Sequence, residues 1–103
     1  MEYRVADQGL VFSMRDRGAR MLADLREKAR NVPLDDVRVD FEGVRSVSYS
    51  FIDEFIGELA QTAGTEAPRC INVSPATART IERSLRRRGI DIDRILSDAL
   101  EAA

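Results

Sequence analysis

The chain predicts an α/β domain, a small mixed β-sheet of about four strands with helices packed on it. Segments that alternate apolar and polar residues are interleaved with segments whose apolar residues recur every three or four positions. Prolines, glycines and capping hydroxyls mark the joints between them. Its 103 residues allow one core, so residues 1–103 read as a single domain with no room for a separate catalytic one. Crossovers are expected to be right-handed wherever strands run parallel.

Strand-type residues from Tyr3 to Val5 and from Leu10 to Phe12 flank Asp7-Gln8-Gly9, which predicts a hairpin or a bend between two short strands. Ser13 is the expected N-cap of a first helix with Met14, Ala19, Met21, Leu22, Leu25 and Ala29 on its apolar stripe. Gly18 either weakens this helix by up to about 1 kcal/mol or lets a neighbour approach closely. Asn31-Val32-Pro33 ends it. Val37, Val39 and Phe41 alternate with Arg38, Asp40 and Glu42, a strand with at least one face in the core. Gly43 turns the chain toward Arg45-Ser46-Val47-Ser48-Tyr49-Ser50.

A second helix follows, with Phe51, Ile52, Phe55, Ile56, Leu59 and Ala60 at helical spacing and Asp53, Glu54, Glu58 and Gln61 elsewhere. Residues 62–68 read as a loop, and Cys70, Ile71 and Val73 as another short strand. Ser74-Pro75 supplies an N-cap and a first-turn proline for a third helix, with Ala78, Ile81 and Leu85 inward and Gly89 as its stop. A last helix begins near Asp91 or Asp93, with Ile92, Ile95, Leu96, Ala99 and Leu100 as its stripe.

Composition narrows the function. The 16 basic and 18 acidic side chains nearly cancel, so the net charge of −2 offers no global field for nucleic acid or membrane. The first residues lack a basic segment followed by an apolar one, and no apolar run is long enough to span a bilayer, so a cytoplasmic protein is expected. Histidine is absent, which removes Ser-His-Asp, Cys-His and imidazole-metal chemistry. Cys70 is the single cysteine and reads as a packed thiol. Asp53, Glu54 and Glu58 form an acidic face, but no phosphate-cradling glycine loop or nucleophile motif accompanies it. The expectation is a non-enzymatic protein without a cofactor or metal.

Strand VRVDFEGV, turn RSVSYS and helix FIDEFIGEL resemble the central segment of STAS domains, the fold of the anti-sigma factor antagonists. They are more closely similar to the STAS-like domain of unknown function, whose core reads like LDF.GV followed by S...F.DEL. The resemblance extends from the helix after Phe12 to the strand at Cys70 and the helix after Pro75. It implies a module of a bacterial regulatory switch that binds a partner, such as a histidine-kinase-like ATPase or an anti-sigma factor. In those antagonists a serine at the start of this helix is phosphorylated, and the added charge weakens the contact. The Asp-Ser-Ser-Gly run of the antagonists falls on Ser48, Tyr49, Ser50 and Phe51, so only the second serine is kept.

The candidate partner-binding or modified residues are therefore Asp40, Ser48, Tyr49, Ser50, Asp53 and Glu54. Hydroxyls before a helix are also capping groups, worth about 1 kcal/mol, and Ser50, three residues ahead of Asp53, has the spacing closest to a capping box. Tyr49, if its ring is exposed, is a natural interface anchor. Arg79, Arg83, Arg86 and Arg87 form a separate basic stripe on the third helix and carry the alternative, a nucleic-acid-associated regulator. Glu82 four residues before Arg86 and the helix dipole also account for that stripe as a solvated face. A homodimer through the first strand or last helix is compatible with the sequence.

Overall fold

The computed structural model describes residues 1–97. Three strands, β1 (Glu2–Arg4), β3 (Arg38–Asp40) and β5 (Arg69–Ile71), form one parallel sheet with β3 in the centre. Two more, β2 (Val11–Phe12) and β4 (Ser46–Val47), form a second parallel pair. The predicted α/β class with helices on a small sheet is what the chain adopts, with five strands divided between two sheets. Among the described residues every strand pairing is parallel.

Each segment follows from its local chemistry. Tyr3, Val39 and Cys70 stand in one register row of the larger sheet, and all three are buried. The first segment makes a bend, not a hairpin: a 3-10 turn at Val5–Gln8 carries the chain from β1 to β2, which pair with different partners. Asp24 accepts a hydrogen bond from the Tyr3 hydroxyl at 2.7 Å, tying β1 to α1 (Arg15–Lys28). Burial, with Asp24 adding to it, raises the pKa of that phenol well above its ordinary value.

The start of α1 differs from its prediction. Met14 is the N-cap residue, with a left-handed φ of 76° and no side-chain cap, and Ser13 does not cap. Met14 and Ala19 are exposed, and Gly18, Met21, Leu22, Leu25 and Ala29 make the inward face. A Cβ placed on Gly18 would lie 2.5 Å from the Phe51 carbonyl oxygen, so glycine is required for α1 to seat against the second helix.

That second helix is continuous but not uniform. It runs as α2 (Tyr49–Ile52), passes through a π turn at Asp53–Gly57, and resumes as α3 (Glu58–Ala63). All six predicted core positions on it are buried. Phe12 stacks on Phe51 at 4.9 Å between ring centres, Phe51 meets Phe55 at 5.7 Å, and Phe55 meets Tyr3 at 6.2 Å. This aromatic row joins the small β2–β4 pair to the larger sheet.

Ser74 caps α4 (Pro75–Arg87) by accepting from the Thr77 amide, and Pro75 opens the helix as predicted. At its end Ile90 N–H donates to the Leu85 carbonyl, with Gly89 at a positive φ between them, which is the predicted stop. Asp91 caps α5 (Ile92–Leu96), which buries Ile95 and Leu96. Ala99 and Leu100 of the predicted stripe lie outside the described residues.

Two outcomes test this packing. Gly18→Ala is expected to destabilise the fold by about 1–3 kcal/mol in urea denaturation, because backbone must move to admit the methyl group, whereas Ala19→Ser on the exposed side changes it by less than about 0.5 kcal/mol. Cys70 is fully buried and its thiol is pushed up to about 12 by that burial. A thiol-specific chromogenic reagent is expected to label it only at the rate of unfolding.

Candidate functional site

The segment from β4 into α2 is built by pairing on one side and capping on the other. Parallel pairing with β2 sets where the strand ends, and the Ser48 amide still donates to the Phe12 carbonyl at 2.8 Å. Ser48 then becomes the N-cap: its Oγ accepts from the Phe51 amide at 3.1 Å. Capping therefore belongs to Ser48, and Ser50 stands inside the first turn of α2. Tyr49 and Ser50 are both half-buried.

Tyr49 does not stand alone. The Arg83 guanidinium lies over its ring at 4.8 Å from the centre, and that of Arg87 at 5.7 Å. The helix turn and the basic stripe, rival sites in the sequence, are thus one surface in the fold. Each such contact is worth about 0.5–1 kcal/mol where solvent reaches it, and together they restrict the ring. Arg79, Arg83, Arg86 and Arg87 are all exposed along α4, and Arg86 comes within 4.0 Å of Glu82 in the predicted intrahelical pair.

The carboxylates divide differently. Asp40 is only 6 % exposed, and its Oδ1 accepts from the Glu42 amide at 2.9 Å and from Asn72 Nδ2 at 3.0 Å. It braces the chain at the ends of β3 and β5 as a nearly buried, hydrogen-bonded carboxylate, unlike the half-exposed Tyr49 and Ser50. Asp53 is also turned inward. Its Oδ1 accepts from Arg88 Nε at 3.0 Å and from Ser84 Oγ at 2.7 Å, and its Oδ2 from Arg15 Nη1 at 3.0 Å. Glu54 is partly exposed, 3.8 Å from the same Arg15, and borders an open cleft of about 320 Å³ between α1 and the second helix.

Arg88 is the residue that sequence reasoning missed. Its side chain is 16 % exposed and also donates to the Asp53 carbonyl, to Glu58 and to Gln61, so it closes the π turn onto the end of α4. A Cβ at Gly57 would fall 2.4 Å from Ser84 Oγ and 2.7 Å from Arg88 Nε, so the glycine leaves the space that the guanidinium and hydroxyl fill. The readable signal was the trio Gly57, Ser84 and Arg88, two small residues and an arginine one helical turn beyond the inward Ser84.

The hydrogen bond from Arg88, followed by those from Ser84 and Arg15, holds the Asp53 carboxyl well below the usual carboxylate range, although partial burial opposes this. A carboxylate with a depressed folded pKa contributes stability above its unfolded value, near 4, and loses it as pH falls toward the folded value. Stability is therefore expected to decline below about pH 4 and to keep declining into strong acid. Asp53→Asn should remove that part of the acid limb in pH-dependent urea melts. Asp53→Ala should cost about 1–3 kcal/mol at neutral pH, because it takes the acceptor from the buried Ser84 hydroxyl and leaves Arg88 with Glu58 as its carboxylate partner.

Among the described residues no three His, Cys, Asp or Glu side chains gather as a metal site, and no helix is long and apolar enough to cross a membrane. No curated protein matches the chain, and no solved structure does. The family described as STAS-like domain of unknown function matches residues 18–70, from Gly18 at the helix contact through the Ser48 cap and the π turn to Cys70 in β5. With its aromatic-rich central helix, its capped strand-to-helix turn and half of its length within that match, the chain belongs to the STAS-like domain family.

Proposed function

We propose that the protein is a non-enzymatic interaction module of a bacterial regulatory switch, similar to anti-sigma factor antagonists. It works in the cytoplasm and binds a protein partner, such as a histidine-kinase-like ATPase or an anti-sigma factor, through the turn and helix start at residues 48–54. The observation that carries this reading is Tyr49, half-exposed at the first helical position and held against Arg83 and Arg87. An aromatic ring with a polar tip, already restricted, loses little entropy when a partner covers it. Behind it, the Ser48 cap and the Asp53 contacts fix the helix start. The contact surface in this reading is Tyr49, Ser50 and Glu54 with the facing arginines, while Ser48 and Asp53 support it from beneath.

The test is retention of a co-expressed histidine-kinase-like ATPase or anti-sigma factor on the immobilised protein. Tyr49→Ala is expected to weaken retention by about tenfold or more, and Ser50→Ala by less. Unchanged retention by a folded Tyr49→Ala variant would remove this site. The same ring beneath Arg83 and Arg87 also favours a second reading, in which the exposed arginines of α4 hold nucleic acid. That reading requires binding to duplex or single-stranded DNA that falls steeply with salt, with the slope reduced by Arg83→Ala.

A further inference from the structure

Leu10, Val11 and Met14 are 48 %, 57 % and 66 % exposed, and with Met1 they are the exposed large apolar residues of the described chain. Three of the four thus fall within five positions. Met14 also holds a left-handed backbone, which costs an ordinary residue about 1–2 kcal/mol, without burying its side chain.

This apolar patch is linked to the arginine stripe through β4. Register pairs Val11 with Ser46, so both project from the outer face of the β2–β4 pair, while Phe12 on the next position is buried. The Arg45 amide donates to the Leu10 carbonyl at 2.8 Å, and a shallow cleft lined by Arg45, Ser46, Ala76 and Thr80 joins β4 to α4. Arg79 and Arg83 follow on that helix. Among the described residues, Arg45, Arg79, Arg83 and Arg87 have no carboxylate partner, although the chain as a whole is slightly acidic.

A strand could not extend this sheet at β2. Arg17 donates to the carbonyls of Val11 and Gln8 at 3.1 and 2.8 Å and lies over Phe12, so its guanidinium occupies the outer edge. What is left open is a strip of apolar side chains beside a strip of cations. That pattern complements a helix with an apolar stripe and flanking carboxylates.

We propose that the face formed by Leu10, Val11 and Met14 with Arg45, Arg79 and Arg83 docks an acidic amphipathic helical segment of the partner protein. This rests on the reading of the chain as a binding module and names the chemistry of what it binds. Leucine-type side chains of that segment cover the β2 patch, and its carboxylates meet the arginines.

The test is fluorescence anisotropy with a labelled peptide of about 15 residues, about four helical turns, carrying leucines at i, i+3, i+4 and i+7 and glutamates around them. Controls replace the glutamates by lysines, or scatter the same leucines off one face. The acidic amphipathic peptide is expected to bind at least about tenfold tighter than either control. Val11→Glu and the double change Arg79→Glu with Arg83→Glu should each weaken it by about tenfold, and the double variant should gain affinity for the lysine peptide. All three positions are exposed, and circular dichroism checks that the fold is kept. Equal binding of all peptides, no effect of either variant, or a charge reversal that fails to recover the lysine peptide would each overturn the proposal. So would tighter binding of duplex DNA that depends on the arginines and not on Val11. If the peptide fails while partner retention still depends on Tyr49, the docking inference alone is lost. If the peptide binds while retention ignores Tyr49, the site at residues 48–54 alone is lost.

Discussion

The contact between Asp53 and Arg88 is the constraint on which the rest of the surface depends. It joins the π turn of the central helix to the end of α4, and through Arg15 on the other carboxylate oxygen it reaches the start of α1. Three helices therefore converge on one carboxylate that is mostly shielded from water. An ion pair of this kind gains little over hydrophobic replacement in net stability, but a half-broken one is costly. What it supplies is position: α4 is set so that Arg83 and Arg87 fall over Tyr49.

Much of this architecture was legible in the residues. The alternation of Val37, Val39 and Phe41, the six core positions from Phe51 to Ala60, the Ser74-Pro75 start and the Gly89 stop all rest on local periodicity or capping, and all are found. β4 was not legible, because Ser46 and Val47 become a strand only by pairing with β2, thirty-odd positions earlier in the chain. The choice of Ser48 over Ser50 as the cap depends on where that pairing ends, and two neighbouring hydroxyls have the same capping propensity. The α1 stripe was shifted for a related reason: Gly18 has no apolar side chain to count, yet its bare backbone sits where a Cβ would collide with the Phe51 carbonyl.

The functional surface was legible in pieces and not as a whole. Tyr49 and the arginines lie more than thirty residues apart, and no periodic pattern within either segment announces that they meet. Asp40 and Asp53 looked equivalent to Glu54 as acidic candidates, and the distinction is one of partners: Asn72 for the first, Arg88 and Ser84 for the second. The family match covers residues 18–70 and so ends before α4. The tyrosine belongs to the segment shared with the family, and the guanidinium groups that bracket it come from the part of the chain beyond that segment.

The π turn at Asp53–Gly57 has a geometric consequence of its own. An α-helix advances about 100° per residue, so a turn that accommodates one extra residue leaves the halves on either side out of phase by roughly that angle. α2 presents Tyr49 outward and Phe51 inward, and α3 separately presents Leu59 and Ala60 inward. The two halves can thus answer to different neighbours while remaining one rod. Removal of a single residue from the turn would restore a regular helix and swing Tyr49 around its axis, away from α4. The wider turn works as a phase offset, and the angle at which this protein shows its tyrosine depends on that backbone geometry as well as on the arginines over the ring.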